Sequence, residues 1–143
     1  MKVALVSLNQ SWEDKEANRL KVRNCFQTIA FRNMDLVIFP EMTLTGFTMN
    51  VKEHAEEAEN SATIRFFTDC ACQYGVYIGF GMILKAGIKA ANHFIIVSPE
   101  GEMCADYIKI HPFSYAGEDR FYEKGKHLTS LEIQGVPIGL SIC

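Results

Sequence analysis

The sequence predicts an α/β protein in which a β-sheet carries helices on one of its faces. The first observation is the order β-α-β-α before Gly75, where short apolar runs alternate with segments whose apolar residues recur every three to four positions. The second is the chain after Gly75, where strand-like runs follow one another with only turns between them. Early helices followed by neighbouring strands favour a sheet with its helices packed on one side.

Two buried strands are expected in the first half of the chain. Residues 2–8 form a short run rich in Val, Leu and Ala, which is typical of a strand that is covered on both faces. Residues 36–39 have the same character, and Pro40 ends this strand because proline has no N–H to donate to a ladder. Residues 42–50 are then expected to form a loop whose mixed composition suits a pocket lining.

Two amphipathic helices are expected beside these strands. The first covers about residues 13–32, and its apolar face holds Val22, Cys25, Phe26, Ile29 and Ala30. The second covers residues 61–74, and its apolar face holds Ile64, Phe67, Ala71 and Tyr74. The candidate N-caps are Ser11 or Asn9 for the first helix and Asn60 for the second, and Gly75 is the stop signal of the second.

The later strands are expected at residues 76–84, 93–98 and 103–110, followed by a terminal hairpin with arms at 128–133 and 136–142. Gln134-Gly135 separates the two arms and has the residue types of a tight hairpin turn. The second arm leads directly to Cys143.

Composition and charge exclude several classes of partner. The formal net charge is −3 with both signs interspersed, and the absence of a basic stripe argues against nucleic acid or an anionic membrane. No apolar run approaches the ~20 residues that span a bilayer, and the N-terminal run turns polar too early for a secretory signal. The five cysteines include no Cys-x-x-Cys pair, which favours reduced thiols in the cytoplasm. We therefore expect a small-molecule partner.

Three reactive side chains lie at the ends of predicted strands. Glu41 follows the strand that Pro40 ends, Lys109 lies near the end of strand 103–110, and Cys143 follows the hairpin. Amide hydrolysis needs a nucleophile, a base that takes its proton, and a cation or donor where charge develops on the carbonyl oxygen. Cysteine, glutamate and lysine can fill these roles in that order.

Each of these residues also has an ordinary structural explanation. A cysteine in a strand is more often a small buried hydrophobe, and we assign Cys25, Cys70, Cys72 and Cys104 to that role. Glu41 alone would be a solvated loop acid. Lys109 alone would be an edge-strand lysine that protects against aggregation. The conjunction of the three, each inside a longer motif, favours the chemical interpretation.

The motifs around these residues are Phe39-Pro40-Glu41, Lys109-Ile110-His111-Pro112-Phe113, Ala116-Gly117-Glu118 and Gly139-Leu140-Ser141-Ile142-Cys143. In this order the sequence resembles the nitrilase superfamily, the carbon-nitrogen hydrolases, and within it the ω-amidase-like branch. The resemblance covers essentially the whole chain but matches only the N-terminal half of a complete member, and it ends at the presumed nucleophile.

The resemblance implies half of a four-layer α-β-β-α sandwich, with residues 1–143 as the N-terminal part of a single domain whose C-terminal part is absent. It implies hydrolysis of non-peptide carbon-nitrogen bonds in small linear (ω-)amides through a thioester on Cys143. Glu118 would support Glu41 and Lys109, with Glu123 as the neighbouring alternative. The candidate substrate-pocket residues are Phe39, Thr45, His111 and Phe113.

Other interpretations stay open. His111 can be read as the base of a Cys-His pair, although pocket support or packing is preferred. His54, His93 and His127 lack zinc-ligand spacing, so no metal or cofactor is expected.

A half-sandwich would expose strand edges and an apolar face, which a homo-oligomer or a complementing C-terminal half would cover. The alternative functions are a truncated, inactive fragment that retains only association, and a non-hydrolytic module that binds a small ligand through Glu41 and Lys109.

Overall fold

The computed structural model of the chain describes residues 1–28 and 33–143 and confirms the α/β class. The predicted apolar positions Ile29 and Ala30, and the predicted helix end at residue 32, lie outside the described residues. None of the helices in the described part of the chain is both long enough and apolar enough to cross a bilayer.

One sheet of six strands organises the fold. Its strands are β1 (Val3–Leu5), β2 (Leu36–Ile38), β3 (Tyr77–Ala86), β4 (Lys89–Val97), β5 (Met103–Ile108) and β6 (Tyr122–Glu123). Strands β1 to β5 lie side by side in chain order, and β6 pairs with the start of β4. The pairs β1–β2 and β2–β3 are parallel, whereas β3–β4 and β4–β5 are antiparallel.

A separate hairpin follows the sheet, with arms β7 (Ser130–Ile133) and β8 (Val136–Gly139). Its turn is Gln134-Gly135, as the sequence predicted, and both residues have positive φ (52° and 77°), which suits a tight two-residue turn. The second arm ends at Gly139, not at residue 142, so Cys143 lies beyond the regular strand.

The helices are α1 (Lys15–Thr28), α2 (Val51–His54), α3 (Ala62–Tyr74) and α4 (Glu118–Phe121). Two of the predicted caps are wrong, because the capping side chain belongs to the residue directly before each helix. Asp14 caps α1 by accepting from the Ala17 N–H at 2.9 Å. Ser61 caps α3 by accepting from the Ile64 N–H at 3.0 Å. The predicted stop at Gly75 is confirmed by its left-handed conformation (φ 63°).

The two long helices pack on one face of the sheet and the hairpin packs on the other. The helix-side core is built around stacked rings, with centroids 4.5 Å apart for Phe26 and Tyr74 and 4.1 Å apart for Phe67 and Phe80. Strand residues of the opposite parity form the second cluster, together with residues of the hairpin and of the segment after it. That cluster consists of Leu36, Ile96, Ala105, Tyr107, Ile133, Leu140 and Ile142.

Two of the predicted burial patterns are wrong. Strand β1 is not covered on both faces, since Val3 and Leu5 are 41% and 78% exposed on the hairpin side of the sheet, beyond the reach of the hairpin. Residues 42–45 are buried in the packing, where Met42, Leu44 and Thr45 line only a small cavity of about 10 Å³. The helix α2 that follows them was not predicted.

Glu56 ties α1 and α3 to the sheet. It accepts hydrogen bonds from Lys15 Nζ, from the Ser61 hydroxyl and from the Thr63 hydroxyl, each at 2.6 Å. Burial alone would raise the pKa of Glu56, but these bonds outweigh it and lower the pKa to about 2. The carboxylate therefore stabilises the fold in its ionised form.

This shift predicts a loss of stability in acid. Because the folded-state pKa lies below the ordinary value of 4.5, the stabilisation is complete above about pH 5 and is lost as the pH falls toward 2. We expect the gap in free energy of unfolding between wild type and Glu56→Gln to shrink by about 3 kcal/mol over this range in urea denaturation. The exposed neighbour Glu57 is the control, with Glu57→Gln close to wild type throughout. A gap for Glu56→Gln that does not change with pH would contradict this account.

Candidate active site

Glu41 lies just after β2, on a loop that β3 holds in place. The Thr43 N–H donates to the Gly81 carbonyl (2.8 Å), and the Gly81 N–H donates to the Thr43 hydroxyl oxygen (3.1 Å). The side-chain amide of Gln10 donates to carbonyls of the same loop, most closely to that of Met42 at 2.8 Å. These bonds fix the backbone on which the partly exposed Glu41 side chain is mounted.

The close approach of this loop to β3 requires a glycine at position 81. A Cβ there would lie 2.4 Å from the Met42 nitrogen and 2.7 Å from the Glu41 Cα. We expect Gly81→Ala to lower the free energy of unfolding by about 2 kcal/mol, measured in urea, because backbone atoms must move to admit the methyl group. Gly139→Ala is the matched control and should stay within about 0.5 kcal/mol of wild type, since no atom lies within 4 Å of its added Cβ. Equal losses in the two variants would contradict the steric argument.

Lys109 directly follows β5 and is held through its backbone on both sides. Its N–H donates to the Asn92 carbonyl at 2.9 Å, and its carbonyl accepts from the Gly125 N–H at 2.8 Å. A Cβ at Gly125 would lie 2.2 Å from the Ile108 carbonyl oxygen, so this approach also needs a glycine. The Lys109 residue is only 2% exposed, which places its ammonium group in the protein interior.

Glu118 is the first residue of α4 and is fully buried. Its Oε2 accepts from Lys109 Nζ at 3.0 Å and from the Phe113 N–H, and its Oε1 accepts from Asn92 Nδ2 at 3.2 Å. The neighbouring candidate, Glu123, is exposed, and its carboxylate pairs with Lys89 Nζ at 3.5 Å. The structure therefore brings Glu118 to Lys109 and does not bring Glu123 there.

Lys109, Glu41 and Glu118 form a charge cluster with the ammonium group in the middle. Lys109 Nζ lies 2.9 Å from Glu41 Oε1 and 3.0 Å from Glu118 Oε2. Burial alone would lower the pKa of Lys109, but its hydrogen bonds to the two carboxylates outweigh burial and raise the pKa above the ordinary value. The ammonium also lies 5.3 Å from the ring centroid of Phe47, within the range of a cation–π contact. Lys109 is therefore charged at neutral pH.

Asn92 is a residue of this site that the sequence pattern did not reveal. It lies within β4, is 1% exposed, and its Nδ2 donates to Glu41 Oε1 at 2.6 Å as well as to Glu118. The sequence predicts this strand only from residue 93 onward, one position after Asn92. Its residue type was the one available signal, because asparagine is depleted in strands and needs hydrogen-bond partners when buried.

Cys143 and Glu41 line one cleft of about 370 Å³ between the sheet and the segment after β8. The cleft is lined by Leu36, Ile38, Phe39, Glu41, Phe94, Ile96 and residues 138–143. Cys143 is exposed. Lys109 and Glu118 are not part of the lining but lie behind Glu41, to which Lys109 is hydrogen-bonded.

The four predicted pocket residues lie in different places. Phe39 lines the cleft. Thr45 is buried in its own loop, where its hydroxyl donates to the Gly46 carbonyl at 2.9 Å. His111 lines a separate cavity of about 450 Å³, and Phe113 is 54% exposed. Of the four, the structure thus brings only Phe39 to the cleft that Cys143 lines.

The other cysteines do not share one environment, although the sequence assigned all four to buried packing. Cys70 is buried, and burial raises the pKa of its thiol to about 11, which makes it a poor nucleophile. Cys25 is half-buried, and burial raises its pKa as well. Cys72 and Cys104 are exposed, which corrects the assignment of these two residues to buried packing. Among residues 1–28 and 33–143, no three His, Cys, Asp or Glu side chains are grouped as a metal site requires.

Comparison with known proteins places this arrangement in a family context. The model of the family described as carbon-nitrogen hydrolase matches residues 2–143. The chain is 30% identical over 143 residues to Omega-amidase YafV of Yersinia enterocolitica. The aligned region covers 100% of this chain and 54% of that protein. The chain is also 26% identical over 131 residues to 2-oxoglutaramate amidase of Bacillus subtilis (strain 168). That aligned region covers 90% of this chain and 50% of the amidase.

Solved structures show the same likeness. A CN-hydrolase superfamily protein from Xanthomonas campestris has a TM-score of 0.89 at 26% identity, over 99% of this chain and 52% of that one. An amidase from Nesterenkonia sp. has a TM-score of 0.86 at 16% identity, over 100% of this chain and 55% of that one, a likeness of fold alone. The chain spans about half the length of these relatives.

Proposed function

Since the chain belongs to the carbon-nitrogen hydrolase family, we propose that it hydrolyses the carbon-nitrogen bond of small linear amides with Cys143 as nucleophile, Glu41 as base and Lys109 as oxyanion stabiliser. One observation carries this proposal. A buried ammonium group is held by two carboxylates, and one of these, Glu41, lines the cleft that Cys143 also lines. A thiol, a carboxylate and an ammonium are the three groups that amide hydrolysis by a thioester route needs.

In the acylation half-reaction, Glu41 takes the proton of the Cys143 thiol as the sulfur attacks the carbonyl carbon of the amide. Negative charge develops on the carbonyl oxygen, and the positive charge of the Lys109 ammonium behind Glu41 stabilises it. The carbon-nitrogen bond then breaks, the nitrogen takes the proton from Glu41, and ammonia leaves. The acyl group remains on Cys143 as a thioester.

In the deacylation half-reaction, Glu41 takes a proton from water as the water oxygen attacks the thioester carbonyl. Lys109 again stabilises the oxyanion. The carbon-sulfur bond breaks, Glu41 returns the proton to the sulfur, and the carboxylic acid is released. The side chains end in the protonation states in which they began, so no further reactant is consumed.

The substrate class that we propose is the ω-amides of short dicarboxylic acids. Two of the relatives support this choice, since one is named an omega-amidase and the other a 2-oxoglutaramate amidase. We further propose that residues 1–143 are the N-terminal part of a single domain and act in the cytoplasm. The exposed apolar residues Val3 and Leu5 support association through the face of the sheet on which the hairpin packs, with a second copy or with a complementing C-terminal half.

The test is ammonia release from the monoamides of succinic and glutaric acid, with a nitrile and a carbamoyl compound of similar length for comparison. We expect the polypeptide as it is produced in the cell to release ammonia fastest from the ω-amides, and residues 1–143 expressed alone to release little. Binding of these amides without turnover by the whole polypeptide would favour a binding module. Neither binding nor turnover would favour an inactive fragment.

A further inference from the structure

Asn92 contacts every member of the charge cluster. Its carbonyl accepts from the Lys109 N–H at 2.9 Å, so its backbone positions the lysine. Its side-chain amide donates to Glu41 Oε1 at 2.6 Å and to Glu118 Oε1 at 3.2 Å. Asn92 lies within the long antiparallel pair β3–β4, opposite Ile83, and is therefore mounted on a rigid part of the sheet.

The four groups form a closed ring of hydrogen bonds. Lys109 Nζ donates once to each carboxylate, and Asn92 Nδ2, which carries two hydrogens, also donates once to each. Two carboxylates that share a single cation repel each other, and each additional donor offsets part of that repulsion. Asn92 supplies this second pair of donors without adding charge.

The ring leaves the two oxygens of Glu41 in different situations. Oε1 accepts from both Lys109 and Asn92, whereas Oε2 accepts no hydrogen bond from residues 1–28 and 33–143. With Oε1 held at two points, rotation of the carboxylate is restricted. Oε2 is thus the oxygen that remains for proton transfer in the cleft.

The orientation of the Asn92 amide also favours donation to the two carboxylates. Its Oδ1 is buried and has no hydrogen-bond partner in the described part of the chain, which is costly for an amide oxygen. A flipped amide would direct this oxygen at both carboxylates, where it would be repelled. The side chain is therefore oriented for donation, and its acceptor is left unsatisfied.

We propose that Asn92 is a positioning residue for Glu41. The side-chain amide of Asn92 bridges Glu41 and Glu118 and thereby aligns Oε2 of Glu41 with the Cys143 thiol. This inference rests on the proposed function, because it assumes that Glu41 acts as the base. It goes further by assigning the alignment of that base to an uncharged strand residue outside the cleft lining.

The test compares Asn92→Leu, which keeps the size and loses both donated bonds, with the whole wild-type polypeptide. We expect kcat for ammonia release to fall about 30-fold or more with KM changed less than about threefold, because the base is misaligned while substrate contacts remain. His93→Leu is the matched control, since His93 is the next residue of β4, faces the other side of the sheet and bonds Asp106 at 2.6 Å. It should keep kcat within about threefold of wild type. Equal losses of kcat in the two variants would overturn the proposal.

A second measurement needs no amide turnover. The rate of alkylation of Cys143 by iodoacetamide at pH 7 reports how well Glu41 assists the thiol, and exposed Cys72 serves as the internal reference. Asn92→Leu should slow alkylation of Cys143 about tenfold and leave that of Cys72 unchanged. If this variant does not fold, Asn92→Ser, which is smaller and keeps one donor, should slow it about threefold. Wild-type alkylation rates would overturn the role of Asn92, whereas a slowed rate in a polypeptide without amidase activity would overturn the proposed function alone.

Discussion

Replacement of Cys143 by alanine is expected to lower the rate of ammonia release from ω-amides by about 10⁴-fold or more, because Cys143 is the one thiol among the described residues that line the cleft. The fold should be retained, since Cys143 is exposed and lies beyond the end of β8. The measurement is steady-state ammonia release by the whole polypeptide, with the unfolding midpoint in urea as a check on stability.

The matched control for this substitution is Cys72→Ala. Cys72 is also an exposed thiol, but it lies in α3 and not in the cleft. We expect its alanine variant to keep full activity, and we expect iodoacetamide to inactivate this variant as fast as wild type. Turnover that survives in Cys143→Ala would contradict the assignment of the nucleophile.

Lys109→Met is expected to lower the free energy of unfolding by about 3–5 kcal/mol. The substitution removes the cation from a cluster in which Glu118 is fully buried, and a buried carboxylate without its partner is strongly unfavourable. Denaturation in urea at pH 7 measures the loss. The same variant should also be inactive, because the oxyanion stabiliser is gone.

Two further variants separate the loss of the ion pair from the loss of a lysine side chain. Lys126→Met removes an exposed lysine and should stay within about 0.5 kcal/mol of wild type. The double variant Lys109→Met/Glu118→Gln should recover part of the lost stability, because it also removes the uncompensated buried charge. A Lys109→Met protein as stable as wild type would show that the cluster does not hold charged groups.

Much of the fold could be predicted because its signals are local. The order of strands and helices follows from apolar periodicity, and Gly75 and Gln134-Gly135 mark turns that require positive φ. The caps were misplaced by one or more residues because several polar residues precede each helix, and only the backbone path decides which one reaches the free N–H groups.

Burial was less predictable because it depends on what covers each face. The composition of residues 2–8 suits a strand covered on both faces, yet Leu5 is 78% exposed because the hairpin does not extend over β1. Thr45 lies in a segment that suits a pocket by composition, but hydrogen bonds to β3 draw its loop into the packing. These outcomes are set by contacts between residues far apart in the chain.

In the candidate site, too, residues with local sequence signals could be predicted, and a residue defined by contacts between distant parts of the chain could not. Glu41, Lys109, Glu118 and Cys143 were identified from motifs, and the structure brings the first three into one cluster and Cys143 into the cleft with Glu41. Asn92 was missed because its importance comes from the pairing of β4 with its neighbours, which the sequence pattern did not reveal. Without the motifs, no periodicity would have connected residues 68 positions apart.

The central claim is that an acyl group is carried on Cys143, and the most direct measurement is the mass of the peptide that contains this residue. The whole polypeptide would be mixed with the monoamide of succinic acid, quenched in acid within the first turnovers and digested. The account predicts that this peptide gains the mass of the succinyl group, that hydroxylamine removes it, and that Cys143→Ala shows no such gain. Ammonia release with the acyl group on another residue, or on none, would contradict the account.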